Sequence, residues 1–298
     1  MLDRYKTNTD TEQGLQPRVL IGITTFNRAE VLPKAIASAA SQSFPSFTVA
    51  VIDDCSTDAT TDLAERFPRV EWKRHDRNRG LLAARNEFMS REGFEYFLSL
   101  DDDAWFLAGD EVELAIDYLE ANPEVGAIAY DILSPDRTEA VPRAAACQVG
   151  MFIGCGHIVR LSVARQVGLY ERLPGFYGGE EKDLCLRMLD AGYKVMLLPG
   201  VHVWHDKSEV SRNLPAQHAS GVCNDLVFAL RRTPVLWLLP VLLTKISSHL
   251  GFSGRNGLVL PCLKGIGLFL GSLGLWSTRR PVRLGTLRLF RQLNQSRR

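Results

Sequence analysis

Residues 94–103 read FEYFLSLDDD, and the fold assignment depends on this stretch. The apolar run 94–100 is typical of a buried strand, and three carboxylates, Asp101, Asp102 and Asp103, follow it. Carboxylates at one strand end repel each other unless a cation lies between them, and hard oxygen ligands suit Mg²⁺ or Mn²⁺. A solvated acidic loop or a helix cap would have the same sequence, so the surrounding chain must distinguish these alternatives.

Strand-like runs alternate with helical patterns around this stretch, as a parallel α/β sheet requires. The predicted strands are 18–24, 47–52, 70–74, 94–100, 125–130, 151–160 and 193–198. The predicted helices are 30–41, 58–66, 81–91, 111–120, 162–167 and 181–191. The first strand is continuously apolar, which predicts burial on both of its faces.

Charge is distributed unevenly along the 298 residues. Residues 231–298 carry 12 Lys or Arg and no acidic residue, whereas residues 1–230 carry 23 basic against 34 acidic residues, a net charge of −11. The acidic part would repel nucleic acid, and the basic part is rich in Leu, Gly and Trp. We therefore expect an anionic membrane surface, and no nucleic acid, as the partner of the basic region. Residues 1–17 are polar, lack a signal-peptide pattern, and are predicted to form a flexible lead-in.

Two apolar stretches, 235–243 and 258–276, lie in the basic region. The first is interrupted by Pro240, and the second contains Pro261, Lys264 and four glycines. A bilayer-spanning helix needs roughly 20 predominantly apolar residues. We predict helices at the membrane interface, with a re-entrant or spanning segment at 258–276 as one alternative and a helical hairpin packed on the protein's own core as another.

The six cysteines form no CxxC pair and no dense framework. This usage predicts reduced, mostly buried thiols, as in a cytosolic protein, and it offers no spacing for a structural zinc site.

Polar loops follow three of the predicted strands. Thr24–Arg28 follows the first strand, Asp53–Asp58 the second, and the aspartate triplet the fourth. Because α/β sheets bind ligands at the carboxyl ends of their strands, we expect these loops to converge on one site.

The strings at 24–60, 78–86, 100–106 and 178–205 resemble family 2 glycosyltransferases, and the resemblance covers about 18–206. It implies the GT-A fold, a Rossmann-like mixed sheet flanked by helices. The implied organisation is a glycosyltransferase domain at 18–230, with a nucleotide-sugar half at 18–134 and an acceptor half at 135–230, followed by a basic, helical, membrane-associating region at 231–298. The family transfers a sugar from a nucleotide diphosphate donor to a hydroxyl, usually with inversion and with Mn²⁺ or Mg²⁺.

The resemblance also implies roles for residues at the nucleotide. Thr24 and Asn27 would lie beside the base and ribose. Asp54 would accept a hydrogen bond from the base, with Asp53 supporting it. Arg79 and Arg85 would face the nucleotide phosphates. For Arg85, the alternative is an exposed charged residue on the helix surface with no ligand.

The family's Asp-x-Asp motif corresponds to residues 101–103. Asp101 would reach the ribose and the metal, and Asp103 the metal. Asp102 occupies the variable middle position, where it would either line the nucleotide-sugar site or face solvent. His205, six residues after Pro199, is the third expected metal ligand.

Glu180 and Glu181 are the candidates for the catalytic base. The family usually has Gly-Glu-Asp-x-Asp-Leu here, with the Asp after Glu as base, and this chain has Glu181 in that position. The longer side chain leaves two alternatives, Glu181 with its backbone set back or Glu180 in its place. Asp183 is expected to orient this helix and to pair with Arg187 one turn later. His157 and His202 are interpreted as packing or surface residues.

The expected function is an inverting, metal-dependent glycosyltransferase at the cytoplasmic membrane face, acting on a lipid-linked or nascent glycan. A nucleotidyltransferase with the same fold would need a glycine-rich, phosphate-binding loop after the first strand, and Thr24–Arg28 has no glycine. A non-enzymatic nucleotide-sugar-binding protein would be marked by loss of the carboxylates. A processive synthase would carry a Gln-x-x-Arg-Trp motif and several clear spans.

Overall fold

The computed structural model describes residues 18–140, 142, 144–206 and 213–295. The predicted lead-in at 1–17 lies outside the described residues. The described residues fall into two compact units, one drawn from 18–169 and 192–206, the other from 170–191 and 213–295.

The first unit is a sheet with helices. Its strands are β1 (Val19–Thr25), β2 (Phe47–Asp53), β3 (Glu71–Arg74), β4 (Tyr96–Asp101), β5 (Ala104–Phe106), β6 (Val125–Leu133), β7 (Cys147–Val149), β8 (Gly156–Arg160) and β9 (Lys194–His205). Its helices are α1 (Leu32–Ala40), α2 (Leu63–Arg66), α3 (Leu81–Met89), α4 (Glu111–Ala121) and α5 (Leu161–Val167).

These strands form one mixed sheet in the order β3-β2-β1-β4-β8-β6-β9-β5, with β7 paired to β9. β3, β2, β1 and β4 are parallel neighbours, whereas β8 runs antiparallel to both β4 and β6. Apolar side chains of α1 and α4 are buried with those of the strands in one hydrophobic core. The arrangement confirms the predicted α/β mixed sheet flanked by helices.

The strand register aligns the predicted polar loops. Thr24 on β1 is the lateral partner of Asp101 on β4, and Thr25 is the partner of Asp53 on β2. Three strands therefore end at the same level, and their loops share one edge of the sheet.

The second half of the sheet differs from the predicted pattern. The strand predicted at 151–160 begins only at Gly156, because a tight turn joins Ile153 to Gly156. β9 continues beyond the predicted end at 198 to His205, although it contains Pro199 and Gly200. Two register shifts between β6 and β9 accommodate this irregularity. β5 and β7 were not predicted, since three-residue strands leave no periodic pattern.

The second unit is helical. It contains α6 (Glu180–Asp190), α7 (Leu214–Arg232), α8 (Val235–Arg255), α9 (Val259–Gly271) and α10 (Leu284–Gln295). α7, α8 and α9 share a small apolar core, and Gly265 allows α9 to approach α7, because a Cβ there would lie 2.8 Å from Cβ of Val222. α6 and α7 are grouped in this unit with the helices that follow residue 231. The domain boundary near 230 stays a prediction.

The apolar stretches also differ from the expected pattern. The predicted stretch 235–243 extends through Pro240 into α8, which runs to Arg255. α9 has 13 residues and is about 20 Å long, which is too short for a hydrocarbon core of about 30 Å. The spanning alternative for 258–276 stays a prediction, although α9 alone is shorter than such a span. Among the described helices, α8 alone is long and apolar enough to cross a membrane, on length and composition.

A close approach at Gly22 gives a stability prediction. A Cβ at Gly22 would lie 2.7 Å from ring atoms of both Phe88 and Phe97, whose rings stack with centroids 5.7 Å apart. We expect Gly22→Ala to lower the free energy of unfolding by about 1–3 kcal/mol, because rigid buried rings cannot yield. Urea denaturation measures the effect. Gly221→Ala on α7 is the control, because nothing lies within 4 Å of its Cβ position; equal losses in both variants would contradict the explanation.

Candidate active site

The candidate site lies at the carboxyl edge of β1, β2 and β4, within the first unit. Asp53 and Asp54 end or follow β2, and Asp101 ends β4 with Asp103 two residues beyond. Asp53, Asp54 and Asp103 are buried, and Asp101 is partly exposed. The predicted acidic residues are therefore together at one sheet edge, and each has a different set of partners.

Asp53 stabilises the loop that follows β2. Its carboxylate accepts a hydrogen bond from the Ser56 backbone N–H at 2.8 Å and another from Arg74 at 3.1 Å. Arg74 also donates to the Ser56 carbonyl at 2.6 Å. These contacts hold the loop after β2 in place, and the predicted support of Asp54 stays a prediction.

Asp54 organises a second loop. Its Oδ1 accepts from the Arg79 N–H at 2.8 Å and lies 2.6 Å from Nδ1 of His75, and its Oδ2 accepts from the Gly80 N–H at 2.7 Å. Gly80 has a φ of +84° and precedes α3. Asp54 thus sets the backbone that leads into α3. The sequence pattern had not pointed to His75.

Asn27 joins the loops after β1 and β2. Its backbone has a φ of +55°, a left-handed conformation that asparagine tolerates better than most residues. Its N–H donates to Ser56 Oγ at 2.8 Å, and its Oδ1 accepts from the Thr57 N–H at 2.7 Å. Asn27 therefore holds the two loops in one arrangement, and Thr24 lies at the end of β1 beside Asp101.

The two candidate phosphate-facing arginines differ in their surroundings. Arg79 is 44% exposed and pairs with Glu87 at 2.9 Å. Arg85 is 2% exposed and donates from Nη2 to Oδ1 of Asp101 at 2.8 Å. The surface-charge alternative for Arg85 is thus wrong, because Arg85 is buried under the acidic edge and positions Asp101.

Asp102 does not face solvent. Its side chain is 13% exposed, and its Oδ1 lies 3.8 Å from Nε of Arg28 in the loop after β1. Burial, together with the neighbouring carboxylate of Asp103, raises the pKa of Asp102 to about 7. The solvent-facing alternative is therefore wrong, and Arg28 is an additional cation at this edge.

The two predicted aspartate ligands each lie close to the third predicted ligand, His205. β5 pairs with β9 so that Ala104 is opposite His205, and this pairing brings Nε2 of His205 to 3.1 Å from Oδ1 of Asp103. Single ligand atoms of Asp101, His205 and the thiol of Cys155 all lie within 4.8 Å of one another. Two carboxylates and an imidazole are a donor set that fits Mn²⁺ and also Mg²⁺.

Cys155 was not found from the sequence. It lies in the turn before β8, and β8 pairs antiparallel with β4, with Gly156 opposite Leu100. No periodic pattern reveals an antiparallel neighbour that is distant in the sequence. Four of the six cysteines are buried, as predicted.

His157 and His202 lie apart from this donor set. His157 is fully buried and stacks on Phe152 with ring centroids 3.9 Å apart, which confirms a packing role. Burial, with the charge of Arg85, holds the pKa of His157 well below its usual range. His202 is paired in register with Asp131 and lines a cavity of about 210 Å³ with Asp131 and Pro199.

Glu180 and Glu181 lie in the second unit, at the start of α6. Gly178 and Gly179 precede them with φ values of +80° and +100°, so the entry into this helix requires glycine. The side-chain amide of Asn224 on α7 donates to the carbonyls of residues 175, 177 and 178 and fixes this entry. Glu180 is buried, and Glu181 is partly exposed.

The first turns of α6 are tied to α7. Lys182 forms an ion pair with Asp225, and Asp183 accepts from Arg232 through both of its oxygens. Asp183 also pairs with Arg187 at 2.9 Å, which confirms that predicted contact. The acidic start of α6 is therefore held in a defined conformation.

The fold resembles that of solved glycosyltransferases. Solved structures with the same fold include a mannosyltransferase from Pyrobaculum calidifontis in complex with GDP-Man and Mn²⁺, at a TM-score of 0.60 and 16% identity over 90% of this chain and 91% of that one. Another is S. aureus TarS 1-349 in complex with UDP-GlcNAc, at a TM-score of 0.63 and 18% identity over 87% and 80% of the two chains. The fold is that of the GT-A glycosyltransferases.

Residues 20–163, just under half of the chain, match the model of glycosyl transferase family 2. Curated relatives include a putative teichuronic acid biosynthesis glycosyltransferase of Bacillus subtilis, 26% identical over 41% of this chain and 50% of the relative. A putative colanic acid biosynthesis glycosyl transferase of Escherichia coli is 31% identical over 29% of this chain and 33% of the relative. The chain spans half or less of the length of these relatives.

Proposed function

We propose that the protein is an inverting, metal-dependent glycosyltransferase that moves a sugar from a nucleotide diphosphate sugar to a hydroxyl of a lipid-linked or nascent cell-surface glycan. The proximity of Asp101, Asp103 and His205 at the carboxyl edge of a family 2 domain carries this proposal. The names of two relatives, a putative teichuronic acid and a putative colanic acid biosynthesis glycosyltransferase, support the class of product.

The donor would lie along the loops after β1, β2 and β4. In this proposal Thr24 and Asn27 line the nucleoside, Asp53 and Asp54 hold the loop backbone in place, and Arg79, being partly exposed, is available to the diphosphate. Asp101, Asp103 and His205 would hold Mn²⁺ or Mg²⁺. When bound, such a cation neutralises the charge that develops on the leaving nucleoside diphosphate.

The attacking hydroxyl must lose a proton. We assign the general base to Glu181, with Glu180 as the alternative, because both lie where the family pattern has its base. Partial exposure of Glu181 favours it, since the base has to reach a hydroxyl of the acceptor, whereas Glu180 is buried.

The second unit is proposed to bind an anionic membrane surface, in agreement with action at the cytoplasmic face. α8 and α9 expose large aliphatic side chains, among them Leu236 at 88%, Leu239 at 66% and Leu260 at 78%. Exposed basic residues follow along the same helical region, including Arg255, Lys264, Arg288 and Arg291. Exposed apolar side chains together with Lys and Arg are the features that bind interfacial helices to anionic lipid.

Membrane binding can be tested with the triple variant Leu236→Gln, Leu239→Gln and Leu260→Gln. We expect its partition onto anionic liposomes to fall at least about tenfold in flotation assays, because each leucine buried in lipid contributes about 1.5–3 kcal/mol. Added salt should weaken wild-type binding as well. Leu107→Gln is the control, because Leu107 is 48% exposed and lies in the first unit. Undiminished flotation of the triple variant would refute the lipid-binding surface.

A donor panel tests the enzymatic proposal. UDP-, GDP-, dTDP- and CMP-linked sugars are incubated with the full chain, Mn²⁺ and an extract of bacterial membranes as the acceptor source, and the released nucleotide is measured. We expect release from at least one diphosphate sugar, and loss of that release with EDTA. Release from none of them would overturn the proposal.

A further inference from the structure

Besides the expected oxygen and nitrogen ligands, the metal site contains a sulfur atom. We propose that the thiol of Cys155 is a fourth ligand of the cation held by Asp101, Asp103 and His205, and that it makes the site prefer thiophilic divalent ions over Mg²⁺. This inference rests on the proposed metal-dependent function and adds a ligand to that site.

The position of Cys155 is set by the sheet. Gly156 pairs with Leu100, the residue before Asp101, so the turn that carries Cys155 comes to the end of β4 where the aspartates begin. The Gly156 N–H donates to the Ile153 carbonyl at 3.3 Å and closes that turn. Cys155 is 2% exposed, and a Cβ on Gly156 would lie 2.9 Å from Ile132, so the turn has little space to move away.

The distances suit coordination. Ligand atoms of Asp101, Cys155 and His205 lie within 4.8 Å of one another, and Asp103 lies 3.1 Å from His205. A cation bound at about 2.0–2.3 Å from oxygen, nitrogen and sulfur requires its donors to lie within roughly 4.5 Å of each other. Small side-chain rotations would therefore let Asp101, Cys155 and His205 share one cation, with Asp103 adjoining them at His205.

The donor types determine metal preference. Carboxylate and imidazole accept Mn²⁺ readily, whereas a thiolate favours Zn²⁺, Cd²⁺ and Co²⁺ and disfavours Mg²⁺. On coordination the thiol releases its proton to solvent. We therefore expect Mg²⁺ to bind more weakly than Mn²⁺, and Co²⁺ or Zn²⁺ to bind more tightly than either.

Co²⁺ titration of the full chain, followed by absorption spectroscopy, tests the sulfur ligand without using activity. We expect the wild type to show a thiolate-to-Co²⁺ charge-transfer band in the near ultraviolet. Cys155→Ser should lose this band, keep the weaker visible bands of bound Co²⁺, and bind Co²⁺ at least about tenfold more weakly. Cys147→Ser, at a partly buried thiol on β7, is the matched control and should keep the band.

The outcomes separate this inference from the proposed function. Bound Co²⁺ without a charge-transfer band in the wild type, or an unchanged band in Cys155→Ser, overturns the sulfur ligand. Mn²⁺ binding, measured in parallel by electron paramagnetic resonance, shows whether the chain binds a divalent cation at all. Absence of both Mn²⁺ and Co²⁺ binding overturns the metal site and the sulfur ligand together.

Discussion

Asp103→Asn is expected to lower metal-dependent sugar transfer by at least about 100-fold, because removing one preorganised electrostatic contact to a developing charge costs about 10²–10³ in rate. Asp103 is buried and lies 3.1 Å from His205, so its carboxylate is positioned to share a cation with that imidazole. The asparagine keeps the size of the side chain and removes only its charge. The variant should therefore lose metal-dependent activity, whereas its free energy of unfolding should change little.

Steady-state release of nucleoside diphosphate, measured across a range of Mn²⁺ concentrations, checks this result. Asp117→Asn is the matched control, because Asp117 is an exposed aspartate on α4. We expect the control to behave as wild type at every Mn²⁺ concentration. Wild-type turnover in Asp103→Asn would mean that this carboxylate does not bind the catalytic cation.

Glu181→Gln is expected to lower kcat by about 10²–10⁴-fold, the usual contribution of a general base. Affinity for the nucleotide sugar should be unchanged, since the proposed base acts on the acceptor hydroxyl. Glutamine preserves the length of the side chain and the first turn of α6, whose entry is fixed by Gly178, Gly179 and Asn224.

Glu180→Gln is the paired variant that separates the two candidates. Rapid-quench measurement of a single turnover reports the chemical step without product release. We expect Glu180→Gln to retain most of that rate, because the side chain of Glu180 is buried and so cannot readily reach an acceptor hydroxyl. A large loss in Glu180→Gln with little loss in Glu181→Gln would assign the base to Glu180.

The parallel half of the sheet was predictable because its strands are continuous apolar runs that end in polar loops. β1, β2 and β4 carry enough buried residues to give a clear pattern, and the carboxyl-end rule then places their loops together. β5 and β7 were missed because three residues show no period, and the end of β9 was missed because Pro199 and Gly200 normally end a strand.

The grouping of acidic residues was predictable for the same reason, but their individual contacts were not. The sequence left open whether Asp102 lines the site or faces solvent, and its side chain lies near Arg28. A surface charge was the alternative for Arg85, which is buried against Asp101. Such contacts depend on how distant strands and helices pack. Cys155 is the clearest case, because only the antiparallel pairing of β8 with β4 brings it to the aspartates.

Calorimetric titration of the full chain with nucleoside diphosphates, in the presence and absence of Mn²⁺, tests the central claim most directly. That claim is that Asp101, Asp103 and His205 form a metal-dependent nucleotide diphosphate site. We predict that at least one of UDP, GDP, dTDP, CDP and ADP binds with Mn²⁺, that EDTA abolishes the binding, and that Asp103→Asn loses it. Binding of none of them, or binding that neither EDTA nor Asp103→Asn changes, would contradict the claim.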